Sequence, residues 1–200
     1  MLEIIVAYYN NNNFEKLLPI FSENKITIYD KSNKYSNEQF KNIIKLENTG
    51  REGETYLRHI IENYDNLSDY TLFIQDDTNE HIKSYSFFYD ITTKIICSKT
   101  LFYQYPTTWR KGGKIIKRTI TNGYCNLHTL PSVFSIKETC TKFNIYIPKS
   151  YNTETCAFFI VHKDIIHKRS KEFYINIRLW LLDNEKNGFV LEHIWKLIFL

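Results

Sequence analysis

Apolar and polar positions divide this chain into short apolar runs and longer helical stripes. Ile4–Ala7, Tyr70–Ile74 and Ala157–Val161 are nearly unbroken apolar runs, and they predict strands buried on both faces. Lys25–Asp30 predicts a further strand, closed by Asp30. Tyr56, Leu57, Ile60, Ile61 and Tyr64 recur at helical spacing, as do Phe173, Ile177, Trp180 and Leu181. Beyond Asn184 and Gly188, the positions Val190, Leu191, Ile194, Trp195, Ile198 and Phe199 form a last stripe that should dock in the core. Strands alternating with helices predict an α/β fold with a mostly parallel central sheet flanked by helices.

The helix ends carry local signals. Thr49 stands where a helix N-cap is wanted, and Glu52 stands three residues later, as in a capping box. Glu54 and Arg58 are four apart and can pair on one face. Asp65-Asn66 reads as a stop. The polar run Asn10–Asn13 caps a helix beginning near Phe14, and Asp164 caps one from Ile165. Other stretches are weaker. Residues 82–96 fit a short helix or a strand, and Ile43, Ile44 and Leu46 a minor element of either kind. Leu130-Pro131-Ser132 begins a helix through Cys140, and Phe143–Ile147 is an edge strand ended by Pro148.

A chain of 200 residues suits one domain with a sizeable core. With Tyr 15, Phe 14 and Trp 3, disorder is excluded. The net charge of +4 permits an anionic ligand, but the basic residues are dispersed and argue against a nucleic-acid module. The basic turn Trp109–Lys114 lacks the spacing of a phosphate-binding loop. Cys97, Cys125, Cys140 and Cys156 form no CxxC pair or zinc spacing. Ile4–Ala7 is too short for a signal core, and no run approaches the ~18 apolar residues of a membrane span. A reducing, cytoplasmic setting is expected, without a transmembrane segment.

Candidate chemistry gathers between Asn48 and His81. Asp76-Asp77 follows a buried strand at its carboxyl end, where open α/β sheets place ligands. Hard oxygen ligands there, with His81 as a possible third, suit Mn²⁺ or Mg²⁺ beside a phosphate; the same pair also reads as a solvated turn. Tyr8 and Tyr9 end the first strand and can stack on a base, or simply pack. Asp30 can accept from a ribose or base. Glu192, on the terminal helix, reads as a solvated charge before a site residue.

Gly50-Arg51-Glu52-Gly53-Glu54-Thr55-Tyr56-Leu57-Arg58-His59-Ile60-Ile61, with Tyr64–Leu67 and Phe73-Ile74-Gln75, resembles an uncharacterised family found in fungi, bacteria and large DNA viruses. That family is generally grouped with glycosyltransferases of the GT-A type. Val6–Asn10, Ile28–Lys31, Phe159–Val161, Arg169–Tyr174 and Leu191–Trp195 are similar to its other segments. The chain departs from the family pattern at Asn11, where an acid is usual, and at Asp76, where a glycine is common.

The resemblance implies a GT-A-like fold that transfers a sugar from a nucleoside-diphosphate-sugar donor to a hydroxyl of a glycan, protein or small molecule. If the source is viral, the setting is the host cytoplasm. On that reading Asp77, with Asp76 or His81, holds the metal; Arg51, held in place by the helix start and by Glu52, contacts the donor diphosphate; and Asp30 with Tyr8 or Tyr9 recognises the nucleoside. Glu154 and Asp164, flanking the third apolar strand, are candidates for the acceptor's base. Two rivals stand beside it: a metal-dependent nucleotidyl- or phosphotransferase, and a non-catalytic protein that binds nucleotide sugars or glycans.

Overall fold

The computed structural model describes residues 1–35, 42–82, 84–106, 117–125, 136–154 and 157–200. Its main sheet has six strands. β1 (Leu2–Tyr8) lies between β2 (Lys25–Asp30) and β4 (Tyr70–Gln75), parallel to both, and β3 (Ile43–Lys45) extends the parallel part beyond β2. β9 (Phe159–His162) pairs with β4 in the opposite direction, and β5 (Phe102–Gln104) closes that edge. The expected largely parallel sheet is present, with an antiparallel margin. A smaller antiparallel sheet joins β6 (Lys117–Thr121), β7 (Tyr124–Cys125) and β8 (Ser150–Glu154).

Alternation along each buried strand feeds two cores. Ile5 and Ala7 of β1, Phe73 of β4, and Phe159 and Val161 of β9 face one side. Leu2, Ile4, Val6 and Tyr8, with Leu72, Ile74 and Ile160, face the other. This period of two explains why the runs look continuously apolar: both faces are covered. The first face carries α1 (Arg51–Glu62), α5 (Lys171–Asp183) and α6 (Asn187–Ile198). The Tyr56 ring there packs 4.8 Å from Phe73 and 6.2 Å from Trp195. The second face carries α2 (Tyr85–Cys97) and two 3-10 turns, Asn12–Lys16 and Leu18–Phe21.

Gly53 lets α1 approach α6. A Cβ at that position would lie 2.7 Å from Leu191 Cδ2 and 3.3 Å from Leu181 Cδ2. None of the described helices is long and apolar enough to cross a membrane.

Several expectations change. The stretch after Asn13 forms 3-10 turns rather than an α-helix. Residues 85–97 settle as helix, capped by Ser84, whose side chain accepts from the Phe87 amide. Phe143–Ile147 is not a strand; Ile145 is buried as a loop anchor, and the edge position belongs to β8. α3 (Ile136–Lys142) is the described part of the helix expected through Cys140. α4 (Lys163–Ile166) is capped by His162, with Asp164 inside its first turn. The basic turn Trp109–Lys114, Leu130–Ser132 and Cys156 lie outside the described residues.

Candidate functional site

Chain order creates the site. From β1 the chain crosses to β2 on one side and later to β4 on the other, which leaves a crevice at the carboxyl ends of β1 and β4. A cleft of about 430 Å³ opens there, a size that suits a small-molecule ligand. Its lining comprises Tyr8 and Tyr9 after β1, Lys31 after β2, Asn48, Arg51 and Glu52 at the start of α1, and Gln75 and Asp76 after β4, with Ala7.

Asp76 organises the floor. Its Oδ2 accepts from three consecutive backbone amides, those of Tyr9 (2.9 Å), Asn10 (2.7 Å) and Asn11 (2.8 Å). Successive N–H groups of this kind form a concavity that binds anions, and here the chain's own carboxylate occupies it. The Asp76 amide in turn donates to the Ala7 carbonyl at 3.2 Å. Asp76 thereby fixes the loop after β1. Asn11 Oδ1 accepts from the Asn13 amide at 3.0 Å and caps the first 3-10 turn.

Asp30 is buried and holds its own loop. Oδ1 accepts from the Ser32 amide (2.8 Å), the Ser32 hydroxyl (2.6 Å) and the Asn33 amide (3.0 Å), and Oδ2 accepts from the Tyr35 amide at 3.1 Å. Its oxygens point into the loop rather than to a ligand, so the expected contact with the nucleoside is not made available. The two tyrosines also part company. Tyr8 is buried, its ring 4.6 Å from Tyr35 and 5.8 Å from Phe14. Burial pushes its phenol up, and Asp30, Asp76 and Glu15 add to that. Tyr9 is 56% exposed and is among the residues that line the cleft.

The start of α1 is held from below. Thr49 does not cap it; the N-cap is Gly50, without a side-chain bond. Gly50 (φ 61°) and Arg51 (φ 53°) are both left-handed, and a Cβ on Gly50 would lie 2.6 Å from Glu54 Cβ. Only glycine adopts this conformation without strain. Lys31, almost fully buried, donates to the carbonyls of Thr49 (2.6 Å) and Arg51 and stands 3.3 Å from Glu54 Oε2. Glu54 Oε1 accepts from Arg58 Nε (2.9 Å), as the four-residue spacing foretold, and also from Arg178 Nε (3.0 Å) and Nη2 (2.8 Å) of α5. Burial pushes the Glu54 carboxyl up, but Lys31, Arg178 and Arg58 outweigh it and hold it below its usual range. Burial lowers the Lys31 ammonium, which Glu54 offsets only in part. We read the pair as ionised, because Glu54 is shared among three cations.

Above this network Arg51 is half exposed. Its guanidinium lies 4.5 Å from the Phe189 ring centroid, 3.5 Å from Glu192 and 3.6 Å from Glu52. Glu192 thus reaches the site from α6 and is not a freely solvated charge. Contacts of this length are ion pairs without tight hydrogen bonds, and the guanidinium can turn to a ligand anion.

The other expected residues disperse. Asp77 accepts from the Asn13 side chain at 3.3 Å. His81 stacks on Phe158, 4.8 Å between centroids, and its Nδ1 is buried without a hydrogen bond among the described residues. Burial lowers its pKa, opposed by Asp77 and then Glu52. Of the three proposed metal ligands only Asp76 lines the cleft, and it already holds three amides. No group of three His, Cys, Asp or Glu side chains fit for a metal occurs among the described residues. The donor set does not fit a protein-held Mn²⁺ or Mg²⁺ as expected, and no step below passes through one.

Asp164 stands at the far end of the sheet. Because β9 runs against β4, His162 pairs with Tyr70 at the start of β4, while the cleft lies at its end. Glu154 ends β8 in the small sheet, its carbonyl accepting from Gln104 Nε2 at 2.6 Å, and is not among the cleft residues.

The chain matches the family described as "Protein of unknown function (DUF3431)" over residues 4–200. It belongs to that family. No curated protein matches it. The match spans both the cleft and the terminal helix that supplies Glu192. Lys31, Asn48 and Gln75 are cleft residues that the sequence did not single out. Lys31 follows an acid closing a buried strand at the ligand-facing edge, and that position was the available signal.

Proposed function

We propose that this protein binds a nucleoside-diphosphate sugar in the cleft at the ends of β1 and β4 and transfers the sugar to an acceptor hydroxyl. The observation that carries this reading is the lining of that cleft. An exposed aromatic ring (Tyr9), two primary amides (Asn48, Gln75), two carboxylates (Glu52, Asp76) and a rotatable guanidinium (Arg51) meet within about 430 Å³. Amides and carboxylates pair with sugar and ribose hydroxyls, an aromatic face stacks on a base or a pyranose, and arginine forms bidentate bonds to phosphate. The largely parallel sheet and the position of the crevice agree with a GT-A-like arrangement, by analogy of fold.

The test is calorimetric titration with UDP-glucose, UDP-N-acetylglucosamine and GDP-mannose, with and without Mn²⁺, followed by measurement of nucleoside diphosphate release. Binding of at least one donor is expected. Tyr9→Ala, which alters an exposed ring, should weaken that binding by about tenfold, on the order of 1.4 kcal/mol. A folded protein that binds none of the three overturns the reading.

A further inference from the structure

We infer that Glu52 is the general base of the transfer. The inference rests on the reading of the cleft as a donor site. An acceptor hydroxyl must lose its proton as it attacks, so a base is needed inside the cleft, and no histidine or cysteine is among the residues that line it. Glu154 and Asp164 are not there, and Asp164 belongs to the opposite end of the sheet. Two carboxylates line the cleft, Glu52 and Asp76; Glu192 meets Arg51 from α6 but is not among the lining residues. Asp76 holds the Tyr9, Asn10 and Asn11 amides on Oδ2, and moving it would release the loop after β1.

Glu52 is placed differently. It sits in the first turn of α1, with its side chain 12% exposed, on a helix start that Lys31 braces from below. Its carboxylate stands 3.6 Å from Arg51 Nε, too long to be a tight bond, and also acts electrostatically on Lys31 and His81. The same Arg51 is the cation suited to the donor's diphosphate. Base and leaving-group partner are thus adjacent residues on one rigid turn.

In the step, Glu52 takes the proton of the attacking hydroxyl as that oxygen bonds to the anomeric carbon. The bond from this carbon to the diphosphate oxygen breaks, and its electron pair leaves on the diphosphate beside Arg51. One displacement of this kind inverts the anomeric centre. Water can serve as acceptor in the same way, so donor hydrolysis reports the step.

The experiment compares wild type with Glu52→Gln and Glu52→Ala, using whichever of the three donors binds. Expected for Glu52→Gln is a fall in kcat of about 10²–10⁴-fold, far larger than the accompanying change in donor Kd. Added formate, a free carboxylate, should restore part of the Glu52→Ala rate, which a merely structural role would not allow. NMR of the first sugar released should show the inverted anomer. Asp164→Asn should leave the rate unchanged. The inference is overturned if donor binds but Glu52→Gln turns over at the wild-type rate, if formate restores nothing to a folded Glu52→Ala, if the anomer is retained, or if wild type binds donor yet releases no diphosphate. Absence of donor binding in wild type instead overturns the donor-site reading.

Discussion

The Lys31 ammonium stands 3.3 Å from the Glu54 carboxylate, with the two side chains 3% and 1% exposed. Between them they tie the end of β2 to the start of α1, and Arg178 ties α5 to the same carboxylate. Removing this anion leaves the buried Lys31 ammonium unpaired beside the guanidinium groups of Arg58 and Arg178. Glu54→Gln should therefore cost about 3–5 kcal/mol, the range for breaking a buried ion pair from one side. Chemical denaturation measures it, and a loss below about 1 kcal/mol would show that the network contributes little.

Asp76 gives a prediction that separates a loop-holding role from metal binding. Asp76→Ala leaves three amides without their acceptor, so stability should fall by about 1–3 kcal/mol in metal-free buffer. Amide exchange at Tyr9, Asn10 and Asn11 should speed up together. A carboxylate kept chiefly for a metal would behave in the opposite way: its removal would leave the metal-free protein equally stable or more so.

Much of the frame could be read from pattern. β1, β2, β4, α1 and the two terminal helices follow from apolar runs and stripes, because their burial on one or two faces is written in side-chain type. The direction of β9 could not be read, since a strand buried on both faces has the same pattern whichever way it runs. That one ambiguity misplaced Asp164 by the length of the sheet. Lys31 was hidden for another reason: a lysine after a strand ordinarily reaches solvent, and only the left-handed turn at Gly50-Arg51 turns two carbonyls towards it. Asp30 and Asp76 were legible as strand-end acids, but not as acceptors for their own and neighbouring loops, because backbone amides leave no mark in sequence.

His59 should make stability depend on pH. It lies on α1 and is buried against the sheet, with Nδ1 3.1 Å from the Tyr29 hydroxyl of β2 and Nε2 3.9 Å from Glu3 of β1. Burial lowers its pKa from 6.5 to about 4; Glu3 opposes the shift and Lys25 adds to it. A folded pKa below the unfolded one means that the unfolded chain binds the proton first. The contribution is whole above pH 6.5 and is lost as pH falls towards 4, on the order of 3 kcal/mol at the limit. Unfolding free energy measured across this window should decline in wild type and flatten in His59→Gln. Equal slopes in the two proteins would mean that His59 takes up its proton without unfolding.

Gly53 supplies a test of how closely the helices above the cleft must approach. Alanine is ordinarily the better helix former by about 1 kcal/mol, so an open site would gain from Gly53→Ala. Here the added Cβ would lie 2.7 Å from Leu191 Cδ2, on α6, and 3.3 Å from Leu181 Cδ2, on α5. Both leucines are fully packed, so relief requires α1 to move away from its neighbours. Overpacking of this kind costs about 1–3 kcal/mol and should outweigh the propensity gain. Because α1 carries Arg51 while Glu192 and Phe189 ride on α6, the same shift should loosen the Arg51 contacts and weaken donor binding as well. Thermal denaturation and donor titration of the variant read the two effects. A more stable Gly53→Ala protein would show that the space between these helices can yield.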